Sequence, residues 1–265
     1  MPQDAEKIAE LGEGRKFAST LARGLSILRA FRAGDSGLTH SELVERTGLA
    51  GATVTRLAYT LAALGYLSHG GKNQFYRLGP AAVALGNVAQ ASVSFFDLAS
   101  EAMQELANRT GTLSLIAVRD GMRMMLVKTW RPVDTPSIWL EPGHRVPVYG
   151  SSSGQAALAA LSDARFLTLD GASDLREFRQ HGYEQLVAKG FTITPDALRY
   201  AATVNSVSVP FFATEFGEPV AFTCGATPEM LSRDRMTEEV GPVLRDLVRQ
   251  LEQRTGRSSA LSYRD

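Results

Sequence analysis

The chain has 265 residues, 44% of them hydrophobic and 21% charged, with a formal net charge of zero. That composition excludes a disordered or fibrous chain and leaves room for one or two folded domains. A single cysteine, Cys224, excludes an intramolecular disulfide and fits a reducing compartment. The start, MPQDAEKIAELGEGRK, has no apolar run of the kind a secretory leader needs. No run approaches the roughly 20 apolar residues that span a bilayer, so a cytoplasmic protein without a membrane partner is expected.

The neutral total hides an uneven distribution. From Arg15 to Pro80 there are nine Lys or Arg against three acids, a basic segment of the kind that meets phosphate. Residues 1–18 read as a polar tail. In STLARGLSILRAF, Leu21, Leu25, Leu28 and Phe31 recur at helical spacing and predict an inward stripe. Thr39 and Glu42 form a capping box for the next helix, which Gly48 ends. A third helix follows, its inner face being Val54, Leu57, Ala58, Leu61 and Leu64. Tyr66–Ser68 and Gln74–Leu78, joined through Gly70, Gly71, Lys72 and Asn73, predict a small β-hairpin.

Helix, turn, helix and hairpin in that order describe a winged helix-turn-helix over 19–79. Its reading face would be Thr53, Thr55, Arg56, Tyr59 and Thr60, with Thr39 at the start of the preceding helix. Small hydroxylated residues let a helix approach a duplex, and an arginine takes guanine or phosphate in two-pronged fashion. Lys72 at the hairpin tip and Arg77 on its return strand would reach the sugar-phosphate backbone. The partner implied is double-stranded operator DNA.

The segments RGLSILRAF, LTHSELVERTGLAGATVTRLAYTLAALGYL and FYRLGPAAVALG resemble the N-terminal module of the IclR family of bacterial transcription regulators. The similarity is close over about residues 19–90 and weaker beyond. Members commonly carry a lysine and a serine or threonine where this chain has Gly51 and Ala52, which removes one phosphate contact. The resemblance implies dimers or tetramers, repressors or activators, and a GAF-like α+β domain that binds a small organic acid effector.

Pro80 opens an alanine-rich linker helix, 80–95, whose Val83, Ala84, Val88 and Ala91 lie at helical spacing and would pack on a second subunit. From 96 to 265 helices and strands alternate, with a hairpin at Asp120-Gly121, and predict an α+β domain with helices on one side of a mainly antiparallel sheet. Ser151-Ser152-Ser153-Gly154 before a helix offers hydroxyls and free amides to a carboxylate. The family match adds Asp196, Ser206, Cys224 and Ala226 to Ser152, Ser153 and Gly154 as effector-binding residues. Relatives often have serine at the positions matched to Cys224 and Ala226, so this pocket would be greasier and suit an aromatic or partly apolar acid. Met122, Met124, Trp130 and Trp139 could extend that apolar wall.

Four scattered histidines give no metal-ligand spacing, no G-x-S-x-G is present, and nothing places Cys224 beside a histidine. No cofactor, metal or catalytic residue is expected. The competing possibility is a small-molecule-binding protein or enzyme that uses the helix-turn-helix for protein interaction.

Overall fold

The computed structural model describes residues 17–70 and 75–264. The chain divides into two units between Ser92 and Val93.

The first unit holds α1 (Ser19–Arg29), α2 (His40–Thr47), α3 (Gly51–Ala63), β1 (Leu67–His69), β2 (Tyr76–Leu78) and α4 (Pro80–Ala91). Ile27, Ala30, Leu38, Leu43, Val54, Leu57, Ala58 and Leu67 form its core. The capping box is present at the start of α2. The Glu42 amide donates to Thr39 Oγ1 at 3.2 Å, and Thr39 donates to Glu42 Oε2 from both its amide and its hydroxyl at 2.7 Å. These donors hold the Glu42 carboxyl below its ordinary range. Gly48, at φ 69°, closes the helix in the left-handed region. Arg46 grips Asp35 with both ends of its guanidinium, at 2.6 and 3.1 Å, and donates to Ala30 O at 3.0 Å, fixing the loop between α1 and α2.

Two expected inward positions turn outward here. Leu21 and Leu25 are 62% and 49% exposed, and Ile27 takes the buried place. Only the last turns of α1 meet α2 and α3, so the earlier leucines have nothing to cover them. Leu64 is likewise exposed, because α3 ends at Ala63 and the chain leaves the core there. The wing gains a rung that alternation did not reveal. Leu38 and Tyr76 exchange both backbone hydrogen bonds, at 2.8 and 2.7 Å, beside the β1–β2 pair. Of the expected hairpin, turn residues 71–73 and strand residue 74 lie outside the described residues.

The second unit is built on a six-stranded antiparallel sheet. Its strands are β3 (Leu113–Asp120), β4 (Arg123–Trp130), β5 (Arg145–Pro147), β6 (Thr192–Ile193), β7 (Asn205–Ala213) and β8 (Glu218–Ala226), in the spatial order β5-β4-β3-β8-β7-β6. The helices are α5 (Ser94–Thr110), α6 (Ser152–Ala160), α7 (Asp163–Phe166), α8 (Ala172–Lys189) and α9 (Gly241–Arg254), the last preceded by a wide π turn. The α+β class stands, but the helices cover both faces of the sheet rather than one. Ile116, Val209, Phe211 and Phe222 pack against α5 and α9, while Leu113, Leu115, Met124 and Ala221 pack against α6 and α8. With both faces covered, inward and outward residues of β3 are equally apolar, so the sequence alternation that would mark one solvated face is missing. Trp130 and Met124, expected as possible pocket wall, are core residues, and Trp139 is exposed under the Arg131 guanidinium at 3.8 Å. Among the described residues no single helix is long and apolar enough to cross a membrane.

The C-terminal segment closes over this unit. Tyr263 stacks on Phe212 at 3.8 Å, and Ala260 N–H donates to Glu252 Oε1 at 3.3 Å. Burial pushes the Glu252 carboxyl up to about 7 from its ordinary 4.5. A carboxyl raised by folding favours the native state only while protonated, so its contribution is full below pH 4.5 and is lost as pH rises through about 7. Glu252→Gln keeps an acceptor for Ala260 and cannot ionise. Melting followed from about pH 5 to about pH 8 should therefore show wild type losing roughly 1–2 kcal/mol against the variant. Parallel pH profiles for the two proteins would contradict this.

Candidate nucleic-acid interface and ligand cavity

The outward face of α3 carries Ala52, Thr55, Arg56, Tyr59 and Thr60, all exposed, with Thr53 half-buried. No side chain caps its N-terminus, so the first-turn amides of Gly51 and Ala52 point outward with no helical carbonyl to meet. Arg56 makes no ion pair or side-chain hydrogen bond among the described residues, and Tyr59 is 76% exposed. This is a cation, a phenol and helix amides on one accessible face, a donor set for phosphate and base edges.

The threonines divide by where their single proton goes. Thr55 donates to Gly51 O at 3.0 Å, Thr60 to Arg56 O at 3.1 Å, and Thr39 to Glu42. Phosphate oxygens only accept, so these three offer lone pairs unless they rotate. Thr53 has no such internal bond among the described residues. Arg77 is exposed and spends Nε on Ser36 O at 2.7 Å, leaving the outer nitrogens of its guanidinium for a backbone contact. Lys72 lies outside the described residues. His40 escaped notice in the sequence. Its Nε2 stands 3.2 Å from Gly51 O and 3.0 Å from Thr55 Oγ1, tying the start of α2 to the start of α3. Only tertiary structure reveals that pairing, since 11 and 15 residues separate the partners.

In the second unit, the serine run at α6 is closed rather than open. Ser151 Oγ accepts the Gly154 amide at 3.1 Å and donates to Pro147 O at 2.6 Å, and Ser151, Ser152, Ser153 and Gly154 are all buried. Ser152 Oγ donates to Ser206 Oγ at 2.7 Å and lies 2.8 Å from Ser208 Oγ, which lies 2.7 Å from Thr223 Oγ1. Ser152 and Ser206 are thus brought together as part of a chain of hydroxyls.

Cys224 and Ala226 are not in that group. Both belong to the core against α5 and α9, on the opposite face of the sheet. Side chains alternate along a strand, so a shift of one residue changes the face on which a side chain lies. Thr223 and Gly225 are the residues of β8 that face α6. Cys224 Sγ sits 3.6 Å from Ser114 Oγ, and full burial pushes its thiol up to about 11. It remains a neutral core group, not a nucleophile. Asp196 is exposed, 3.5 Å from Arg199 Nε and 3.8 Å from the guanidinium of Arg233.

A small recess with enclosed room for about one water molecule lies beside β6 and β7 and is lined by Gly150, Thr194, Arg199, Asn205, Ser206 and Met236 among others. Of the expected effector residues only Ser206 lines it. Among the described residues no three His, Cys, Asp or Glu are grouped to hold a metal.

Two family models match the chain. One, described as the IclR helix-turn-helix domain, covers residues 20–70, and one, described as bacterial transcriptional regulator IclR C-terminal, covers 89–253. The HTH-type transcriptional regulator TsaQ1/TsaQ2 of Comamonas testosteroni is 25% identical over 93% of this chain and 91% of its own length. The Pca regulon regulatory protein of Pseudomonas putida is 24% identical over 93% of this chain and 89% of its own. Among solved structures, an IclR family transcriptional regulator from Brucella abortus superposes with a TM-score of 0.74 at 27% identity, over 91% of this chain and 94% of that one. An IclR homolog from Microbacterium hydrocarbonoxydans, solved with 4-hydroxybenzoate, shares the fold with a TM-score of 0.66 at 20% identity, over 92% and 99% of the two chains.

Proposed function

The chain belongs to the IclR family of bacterial transcriptional regulators, and on that premise we propose that it acts in the cytoplasm, binds operator DNA as a dimer or dimer of dimers, and is controlled there by a small organic acid held in its second unit. The relatives are regulators rather than enzymes, which answers the competing enzyme reading. One observation carries the DNA half of the proposal. The helix that would enter the major groove presents Arg56 and Tyr59 with no internal partner, beside uncapped amides.

Pairing of copies is supported by apolar surface in the first unit. α4 buries none of its residues, and Val83, Leu85 and Val88 are 58–69% exposed, with Leu21 and Leu25 of α1 at 62% and 49%. Covering such surface is what a second copy would do, and two copies read half-sites a helical turn or a multiple of it apart. An acid that binds one arrangement of the copies better than another shifts the population toward it. The 4-hydroxybenzoate in the Microbacterium hydrocarbonoxydans homolog is the kind of ligand meant.

Purified full-length protein should bind the DNA upstream of its own gene more tightly than random DNA of equal length in direct competition. Equal binding at every salt concentration would defeat the proposal.

A further inference from the structure

Thr55 stands in the middle of the outward stripe of α3. Ala52, Thr55, Arg56 and Tyr59 recur at helical spacing on one side of the helix, and all four are exposed. Thr55 and Thr60 both donate to the carbonyl four residues earlier, Thr55 to Gly51 O at 3.0 Å and Thr60 to Arg56 O at 3.1 Å. Thr55 has a second tie that Thr60 lacks. The half-buried ring of His40 lies against it, with Nε2 3.0 Å from Thr55 Oγ1.

The chemistry of the partners sets the direction of that contact. His40 Nε2 is also 3.2 Å from Gly51 O. A carbonyl oxygen has no proton to give, so the nitrogen facing it carries one. Thr55 Oγ1, whose own proton goes to Gly51 O, then receives the Nε2 proton on a lone pair. The other tautomer changes nothing outside, because a bare Nε2 would take the Thr55 proton instead. In both cases the threonine proton stays inside the protein and a lone pair faces out. His40 is the first residue of α2, directly after the Thr39 cap, so the Thr39–Glu42 box holds its backbone in place.

Resting on the DNA-binding reading above, we propose that His40 is a specificity-determining residue that acts through Thr55. By holding that hydroxyl as an acceptor, it makes Thr55 read a base amino group, adenine N6 or cytosine N4, at one base pair of each half-site. Guanine presents O6 and N7 to the major groove and thymine presents O4, all acceptors, which a lone pair repels. Arg56, the next residue, has the opposite preference, since a guanidinium only donates. Thr60, with a single tie, remains free to turn its proton toward phosphate.

The test selects duplexes from a random library with the full-length protein. Affinities for the selected sequence and its single-base variants are then compared for wild type, Thr55→Val, His40→Leu and His40→Gln. At one position of each half-site, wild type should prefer adenine or cytosine over guanine or thymine by about threefold to tenfold, the effect of one hydrogen bond. Replacing that adenine by purine, or that cytosine by 2-pyrimidinone, removes only the amino group and should cost as much. Thr55→Val should abolish the preference there. His40→Leu frees the hydroxyl to rotate and should relax the preference at the same position, and His40→Gln, whose amide can donate in place of Nε2, should restore it. Preferences at all other positions should stay within about twofold, which a displaced helix would not allow.

A Thr55-dependent preference for guanine or thymine, or no position sensitive to Thr55→Val, would overturn the acceptor assignment. A preference that His40→Leu leaves intact would remove His40 from it. Loss at every position alike in His40→Leu, unrestored by His40→Gln, would reduce His40 to a packing residue and overturn the proposal. A library from which no sequence is enriched would instead defeat the DNA-binding reading itself.

Discussion

Arg56→Ala is expected to weaken binding to the specific operator by about 1–3 kcal/mol, roughly tenfold to a hundredfold, while affecting random DNA much less. The reasoning begins with position. Arg56 lies in the second turn of α3, on the exposed side opposite Val54, Leu57 and Ala58. It has no ion pair among the described residues to break before it engages a base, so the whole guanidinium fork is available. Arg77 makes the contrast, since its Nε is already held by Ser36 O. Arg77→Ala should lower affinity for all sequences alike and flatten the salt dependence by about one contact. A binding series on operator and random DNA separates the two. If Arg56→Ala lost affinity equally for both DNAs, Arg56 would be a phosphate contact and base reading would fall to other residues.

Gly154→Ala should be among the most damaging single substitutions in the second unit. A Cβ at Gly154 would stand 2.1 Å from Val148 O and 2.7 Å from the Val148 carbonyl carbon and Cα. These obstacles are backbone, so no side chain can swing aside, and α6 is buried along its entire length. Either the helix or the strand-to-helix segment must move, and that segment is held by the Ser151 bond to Pro147 O. A cost of about 3 kcal/mol or more follows for enforced overpacking, which is about 6–12 °C in melting temperature for a unit of this size. Calorimetry on variant and wild type measures it. A melting temperature within a degree or so of wild type would contradict the packing described for α6.

Much of the first unit was legible because local chemistry sets it. The Thr39–Glu42 box, Gly48 and the 3.6-residue stripe of α3 are signals within a few residues of one another. Leu21, Leu25 and Leu64 were misplaced because spacing shows that residues share a face, not whether anything packs there. In the second unit the elements were largely legible, but the faces were not. A sheet covered on both sides erases the alternation that would orient it. The effector expectation meets the same difficulty, since Cys224 and Ala226 lie on the α5 face of β8 while Thr223 lies on the face that carries the Ser152 hydroxyl group. Arg199 and Thr194 escaped notice because only three-dimensional packing brings them beside Ser206. The serine run was visible as a group, yet the partners of Ser152, Ser206 and Ser208, are 54 and 56 residues away.

The central claim is that α3 and the wing grip duplex DNA through phosphate-directed cations in at least two copies. Its most direct test is the slope of log K against log salt for the full-length protein on its own upstream DNA, measured between about 50 and 200 mM. With two or more phosphate-bound cations from each of two copies, the slope should be about −3.6 or steeper. A slope near zero, or one no steeper than about −1, would contradict it.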